Sequence, residues 1–227
     1  MMMLFQNLRI YNQNPTIYIG GFQIEEPITT ITDIIFATVC FFASYKTINI
    51  SNSKALKLYS LFFLTTGISA IIAAIFGHAL LYHFGKDAKI YGWILGIICV
   101  SISQFAALYH IKSNLKNNLF KILFVILCLE TLIALITTFY FWTFIVVIIH
   151  STFSLLAVVT TLEFINYKKT QSQVSKQILY GVGFAIIASL CHLFKLGFGI
   201  WFNHLDVSHV FMSVSIYTMY LGVKKLK

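Results

Sequence analysis

Two prolines, Pro15 and Pro27, are all that this chain contains, and both precede its first long apolar run. Helices beyond residue 28 are therefore expected to run without proline breaks. With no internal repeat and no broken helix pair to read, the layout of a secondary transporter is set aside. Charge is equally scarce: 10% of residues are Asp, Glu, Lys or Arg against 59% hydrophobic, and the mean hydropathy is +0.84. Too little polar surface remains to clothe a water-soluble domain, so composition alone points to an integral membrane protein. The four cysteines, Cys40, Cys99, Cys128 and Cys191, lie inside apolar stretches without CxxC spacing and read as packing residues. A dense basic tract or RNA-binding motif is also missing, so the net charge of +9 calls for no nucleic acid.

What is present is a series of apolar runs near residues 28 to 48, 58 to 83, 91 to 111, 119 to 140, 142 to 164, 178 to 201 and 205 to 224. Each is long enough to cross a bilayer, which needs about 20 residues as a helix. The expected fold is all-α: a polytopic membrane protein of seven transmembrane helices, with residues 1–27 as a short extracytoplasmic segment and 28–227 as one membrane domain. The fourth and fifth runs meet at Thr138 to Trp142, where a tight hairpin is expected in place of one overlong helix. No continuous apolar core of an export signal precedes Asn12, Gln13, Asn14 and Pro15, so the first span is expected to direct insertion.

Basic residues orient this bundle, because short cytoplasmic loops are enriched in Lys and Arg. Lys46, Lys54, Lys57, Lys112, Lys116, Lys121, Lys168, Lys169, Lys176, Lys224, Lys225 and Lys227 fall on one side, and Arg9, Lys86, Lys89 and Lys195 on the other. That asymmetry predicts an outside N-terminus and a cytoplasmic C-terminus, in a multi-pass protein of a bacterial inner or plasma membrane. Trp93, Trp142 and Trp201 all fall at expected outer ends, where an amphipathic ring straddles lipid and water.

Imidazole and carboxylate groups are costly in hydrocarbon, so a layer of them reads as a site. Six of the seven histidines, with Asp33 and Asp206, are expected at similar depth near the outer face, about 8 to 14 Å in at 1.5 Å per residue. His110 is placed at the opposite end as an interfacial side chain. Residues three or four apart share a helix face, so Asp206 and His209 can act together, and Glu26, Thr30 and Asp33 form one stripe. His204 and His83 fall off the faces of His209 and His78. The expected metal set is His78, Asp206 and His209 around Zn²⁺, with Asp33 as a further ligand or as the catalytic base that positions water.

Other roles compete for the same residues. Asn203 with Asp206 has the spacing of a reciprocal helix cap, and Glu26 before Pro27 reads as a helix start favoured by the dipole. His150 and His192 are expected to exchange interhelical hydrogen bonds with Ser or Thr. Glu130, near the middle of the fourth span, reads as a neutral hydrogen-bonded carboxyl, with a proton relay as the alternative. Gly92, Gly96, Gly181, Gly183, Gly197 and Gly199 read as close-packing positions, Gly92 and Gly96 forming a GxxxG pair.

The stretch Trp201-Phe202-Asn203-His204-Leu205-Asp206-Val207-Ser208-His209-Val210, with Glu26, Pro27 and Asp33 at the first span and Gly77-His78 on the second, resembles an uncharacterised bacterial seven-helix family. That family is distantly similar to the superfamily of alkaline ceramidases and progestin and adipoQ receptors. The resemblance implies zinc held by a second-span His and seventh-span His residues, matched here by His78 and His209. The chain departs from the ceramidase pattern at Leu205, four residues before His209, where that pattern has a second His. It departs also in lacking a third-span Asp, and in having Ala74 where a Ser is expected, the nearest being Ser69.

Three functions are consistent with these residues. The first is a metal-dependent hydrolase acting on a lipid or other membrane-embedded amide or ester, its ion polarising the carbonyl and activating water. The second is a non-catalytic seven-helix receptor, or a protein binding a lipid or small molecule. The third is a haem-carrying electron-transfer bundle using His78, His150, His192 or His209, which the carboxylate company of these histidines disfavours.

Overall fold

The computed structural model describes residues 14–226. Arg9 and Lys227, which enter the count of basic residues, lie outside the described residues. The chain begins with a two-stranded antiparallel hairpin, β1 (Thr16–Ile19) and β2 (Phe22–Glu25), registered Thr16 to Glu25 through Ile19 to Phe22. Its two-residue connection is Gly20-Gly21, both at positive φ (58° and 82°), as a mirror-image turn between twisted strands requires. Hydropathy and spacing do not anticipate this hairpin.

Seven long helices come after it: α1 (Pro27–Thr47), α2 (Lys54–Ala79), α3 (Lys86–His110), α4 (Asn117–Phe141), α5 (Phe144–Thr170), α6 (Gln173–Leu193) and α7 (His204–Val223). The first six are long and apolar enough to cross a membrane, which makes the chain a multi-pass membrane protein. Among the described residues the protein is all-α apart from the hairpin. The α4–α5 turn is a sharp break: Trp142 takes the left-handed conformation (φ 48°) and Thr143 is extended, its hydroxyl accepting from the Ile145 amide. The sixth apolar run ends early as a helix, at Leu193 instead of residue 201. Lys195 at φ 52° turns the chain out of the helix, and the close approach of Gly197 to the Asn203 backbone, 2.8 Å from a would-be Cβ, folds the segment back.

The helices close into a ring in which α7 lies between α6 and α1, α1 against α2, α2 against α3, and α5 between α3 and α6; α4 flanks α3 and the start of α5. Each inward face has helical period. On α1, Thr29, Thr32, Asp33, Phe36, Ala37, Cys40, Ala43, Ser44 and Thr47 are buried, while Ile31, Ile34, Ile35 and Phe42 are exposed. Exposed isoleucines on a ring of apolar helices are the expected lipid face. Cys40, Cys99 and Cys191 are buried as expected of packing residues, but Cys128 is exposed on α4. The glycine pair of α3 does not act as one contact surface: Gly92 faces Ala73 of α2, and Gly96 faces Val147 of α5. Gly181 does pack closely, under Met219 and the Ser215 carbonyl of α7.

Two helices change pitch where they carry polar residues. The last turns of α2, Ala73–Ala79, and the middle of α5, Phe153–Val159, are π-helical and contain His78 and Ser154. A π-turn adds a residue to the turn and rephases the side chains beyond it, a device common at functional positions. The hairpin packs over the end of α2 that carries His78.

Candidate functional site

Asp33 reaches the ring interior because it shares the buried stripe of α1, and two imidazoles meet it there. His78 Nε2 lies 3.6 Å from Asp33 Oδ2, and His209 Nε2 lies 3.3 Å from Asp33 Oδ1. The two rings stand edge to face with centroids 6.4 Å apart. All three side chains are nearly enclosed, at 5% exposure for Asp33, 11% for His78 and 12% for His209.

The far nitrogen of each ring is anchored. His78 Nδ1 is hydrogen-bonded to Glu26 Oε2. His209 Nδ1 lies 2.9 Å from Thr32 Oγ1, which also stands 3.2 Å from Asp206 Oδ1 and 3.0 Å from the Thr29 carbonyl. A hydroxyl has one proton to give. When Thr32 gives it to Asp206 or to Thr29, it accepts from His209 Nδ1–H; Glu26, as a carboxylate, likewise accepts from His78 Nδ1–H. Both Nε2 atoms then present lone pairs to the Asp33 carboxylate, whose Oδ2 is buried without a hydrogen-bond partner. Lone pairs aimed at one another in a dry interior repel, so the arrangement calls for positive charge among them, as protons or a cation.

The donor set suits a cation. Two imidazole nitrogens and a carboxylate are zinc-type ligands, and imidazoles oriented by outer carboxylate or hydroxyl groups are the usual support of such sites. A tetrahedron with arms of about 2.0–2.1 Å has ligand-to-ligand edges of about 3.3 Å, close to the 3.3 and 3.6 Å gaps here. Among the described residues, however, no three His, Cys, Asp or Glu side chains are drawn together as a formed metal shell.

Asp206 stands one bond behind this centre. Its Oδ2 accepts from the Asn203 amide at 2.6 Å while Asn203 Oδ1 accepts from the Leu205 amide, a complete capping box at the start of α7. Its Oδ1 is turned to Thr32. Both oxygens are thus occupied away from the gap between the imidazoles. Glu26 differs from its expected role as a cap. It occupies the residue before α1 but makes no side-chain cap bond, and its carboxylate goes to His78. Its backbone sits at φ 45°, strain of about 1 kcal/mol or more, and is held by a 2.7 Å bond from its amide to the Pro15 carbonyl. Burial alone would raise the Glu26 pKa; the hydrogen bond and charge of His78, with Lys89 and His204 beyond, outweigh it and hold the carboxyl below the ordinary 4.5. Glu26 and Thr32 are the two members of the site that sequence reasoning missed as such. The only signals were that Glu26 falls on the Asp33 stripe and that Thr32 adjoins Asp33.

The expected layer of six histidines resolves into separate groups. His83 stacks on Phe22 of the hairpin, with ring centroids 4.5 Å apart. His192 and His204 face each other at 5.3 Å, His192 also meeting Phe144. His150 bonds Ser101 and also Glu130, at 2.7 Å. His110 is more than an interfacial side chain: its Nδ1 reaches both oxygens of the fully buried Glu163 at 2.9 and 3.0 Å, and Tyr59 donates to the same carboxylate.

Residues 28–227 match a family described as "Family of unknown function (DUF6962)". The match takes in Asp33, His78, Asp206 and His209 and stops short of the hairpin and Glu26. No curated protein and no solved structure matches the chain.

Proposed function

We propose that the chain, which belongs to the DUF6962 family, crosses the membrane seven times and holds a divalent cation, Zn²⁺ by its donor set, between Asp33, His78 and His209 to hydrolyse an amide or ester of a membrane lipid. The observation that carries the reading is the buried, unpartnered Asp33 Oδ2 facing two imidazole Nε2 atoms whose other nitrogens are anchored. Bound Zn²⁺ supplies Lewis-acid polarisation of a carbonyl and a water of lowered pKa. Three donors leave a fourth position for water, the hallmark of a catalytic zinc, because Asp206 is engaged elsewhere. Glu26 and Thr32 fix the imidazole orientations, and Asp206 holds Thr32. The enclosing helices exclude bulk water from the site.

The topology supports a lipid substrate. As a seventh span α7 is long enough at 20 residues, and its Ser and Thr hydroxyls are satisfied within the bundle: Ser208 donates to the Ala188 carbonyl, Ser215 to Gly181, Ser213 to His209 and Thr218 to Val214. Among the described residues the hairpin end carries Lys86, Lys89 and Lys195, and the opposite end the other eleven lysines, so the N-terminus and the site belong outside the cytoplasm. The distant likeness to the ceramidase and receptor superfamily points to the same class of ligand.

One observation favours a second reading. The near closure of Asp33, His78 and His209 suits a structural ion in a seven-helix protein that binds a lipid or small molecule without turnover. The two are separated by incubating purified protein with a panel of lipid amides and esters. Hydrolysis that is lost on chelation, restored by zinc and absent from Asp33→Ala supports the enzyme; no turnover of any member, with zinc stoichiometrically bound, overturns it in favour of the binding protein.

A further inference from the structure

We propose that Glu130 and His150 form a second site, a proton-binding pair in the middle of the membrane whose carboxyl is open to lipid. Glu130 lies on α4, 13 residues from one end and 11 from the other, so about 17 to 20 Å from either end of that helix. His150 Nδ1 is 2.7 Å from Glu130 Oε1. His150 Nε2 lies 3.2 Å from the Ile97 carbonyl, a group that only accepts, and 3.1 Å from Ser101 Oγ. The Ser101 hydroxyl donates to that same carbonyl at 2.8 Å. Ser154 Oγ stands farther off, at 3.5 Å. With the acceptor-only carbonyl nearer than Ser154 and the Ser101 proton already given to it, Nε2 carries a hydrogen, and in a neutral imidazole Nδ1 becomes an acceptor. The short bond to Glu130 is then made with the carboxyl proton. Neutral acid with neutral base, or carboxylate with imidazolium, differ by one proton moved along a 2.7 Å bond.

This arrangement also speaks against Ser101, His150 and Glu130 as a nucleophilic triad, because the nitrogen that would take the serine proton is already a donor to the backbone. The surrounding elements bring no competing charge. Helix α3 faces the pair with Ser101, Gln104 and the Ile97 carbonyl, α4 with Thr131, whose hydroxyl donates to Ser101, and α5 with Ser154. Gln104 is fully buried; its amide nitrogen reaches Ser154 and, at 3.4 Å, Glu130 Oε2, while its Oε1 has no partner.

Access is one-sided. The Glu130 side chain is 22% exposed and that of His150 1%, and around Glu130 the outward face of α4 presents Ile126, Leu129 and Ile133. A carboxyl that is protonated and bordered by lipid reacts with a carbodiimide dissolved in the bilayer. The carboxyl proton goes to one nitrogen of N=C=N and the carboxyl oxygen to its carbon; the O-acylisourea then rearranges to an N-acylurea, with nothing released.

The test treats membranes containing the full chain with dicyclohexylcarbodiimide or with a water-soluble carbodiimide over a pH series, and maps adducts by mass spectrometry. The expected result is an adduct on wild-type Glu130 with the lipid-soluble reagent, at least about tenfold above the water-soluble one. It fades as pH rises and disappears in Glu130→Gln. Absence of the adduct from the wild type, equal labelling by both reagents, or labelling independent of pH overturns the proposal. Since the decisive measurement is on the wild type, it does not depend on how the variants fold. Labelling that persists in His78→Ala keeps this site distinct from the Asp33 centre.

Discussion

Replacing Asp206 by Ala separates a residue that binds a cation from one that orients a ligand. The change removes the 2.6 Å bond that caps α7 at the Asn203 amide, a loss of about 1 kcal/mol. It also removes the buried, charge-assisted bond from Thr32, worth about 1.5–3 kcal/mol. Together these lower stability by about 3 kcal/mol, and Asp206→Asn, which keeps one acceptor, should lose clearly less. With Thr32 freed from Asp206, the His209 ring is less well oriented, and zinc affinity should drop about 10- to 100-fold, the usual effect of losing such support. Unfolding of the purified protein in mixed detergent reads the first quantity, and competition with a fluorescent chelator reads the second. At saturating zinc Asp206→Ala should still bind one equivalent, whereas Asp33→Ala should not. If folded Asp206→Ala bound no zinc at any concentration, Asp206 would be a direct ligand and the reasoning would fail.

Packing of α7 on α6 is tested by a pair of substitutions. Gly181→Ala places a Cβ 2.4 Å from Met219 Cγ and 3.0 Å from the Ser215 carbonyl oxygen, which should cost about 1–3 kcal/mol; Gly183→Ala meets nothing within 4 Å and should be neutral or stabilising by up to about 1 kcal/mol in the same unfolding assay. Equal effects at both positions would contradict the close contact. The Glu26 carboxyl, held below 4.5 in the folded protein, contributes stability that is present above its unfolded pKa and lost as pH falls through the folded one. Thermal melts should therefore show a steeper acid limb below about pH 4.5 for the wild type than for Glu26→Gln, and superimposable limbs would refute that linkage.

The helices were legible because apolar runs of spanning length are the strongest signal a membrane sequence carries; all seven helices, six of them long and apolar enough to cross, begin within a few residues of the expected starts. The exception at the far end of the sixth is instructive: Phe194 to Trp201 is as apolar as a helix, but the backbone turns at Lys195 and Gly197, and hydropathy is blind to that. The meeting of Asp33, His78 and His209 came from depth and helical phase. What depth could not supply was azimuth, the direction in which each helix presents its face around the ring. Hence His150 fell to Glu130 and Ser101, and His192 to His204. Glu26 was misassigned because a carboxylate beside a helix-starting proline has a sufficient local explanation, whereas its actual partner is 52 residues away. The pairing of Glu163 with His110 and Tyr59 likewise joins three helices and leaves no local pattern.

The most direct measurement is metal content by mass spectrometry of the wild-type protein purified without added chelator, beside His78→Ala and His209→Ala. The account predicts about one zinc per wild-type chain and a near-complete loss in both variants, as removal of one of three ligands entails. Wild-type protein that neither retains nor takes up zinc, or variants that hold it as well as the wild type, would contradict the assignment of this buried cluster as a cation site.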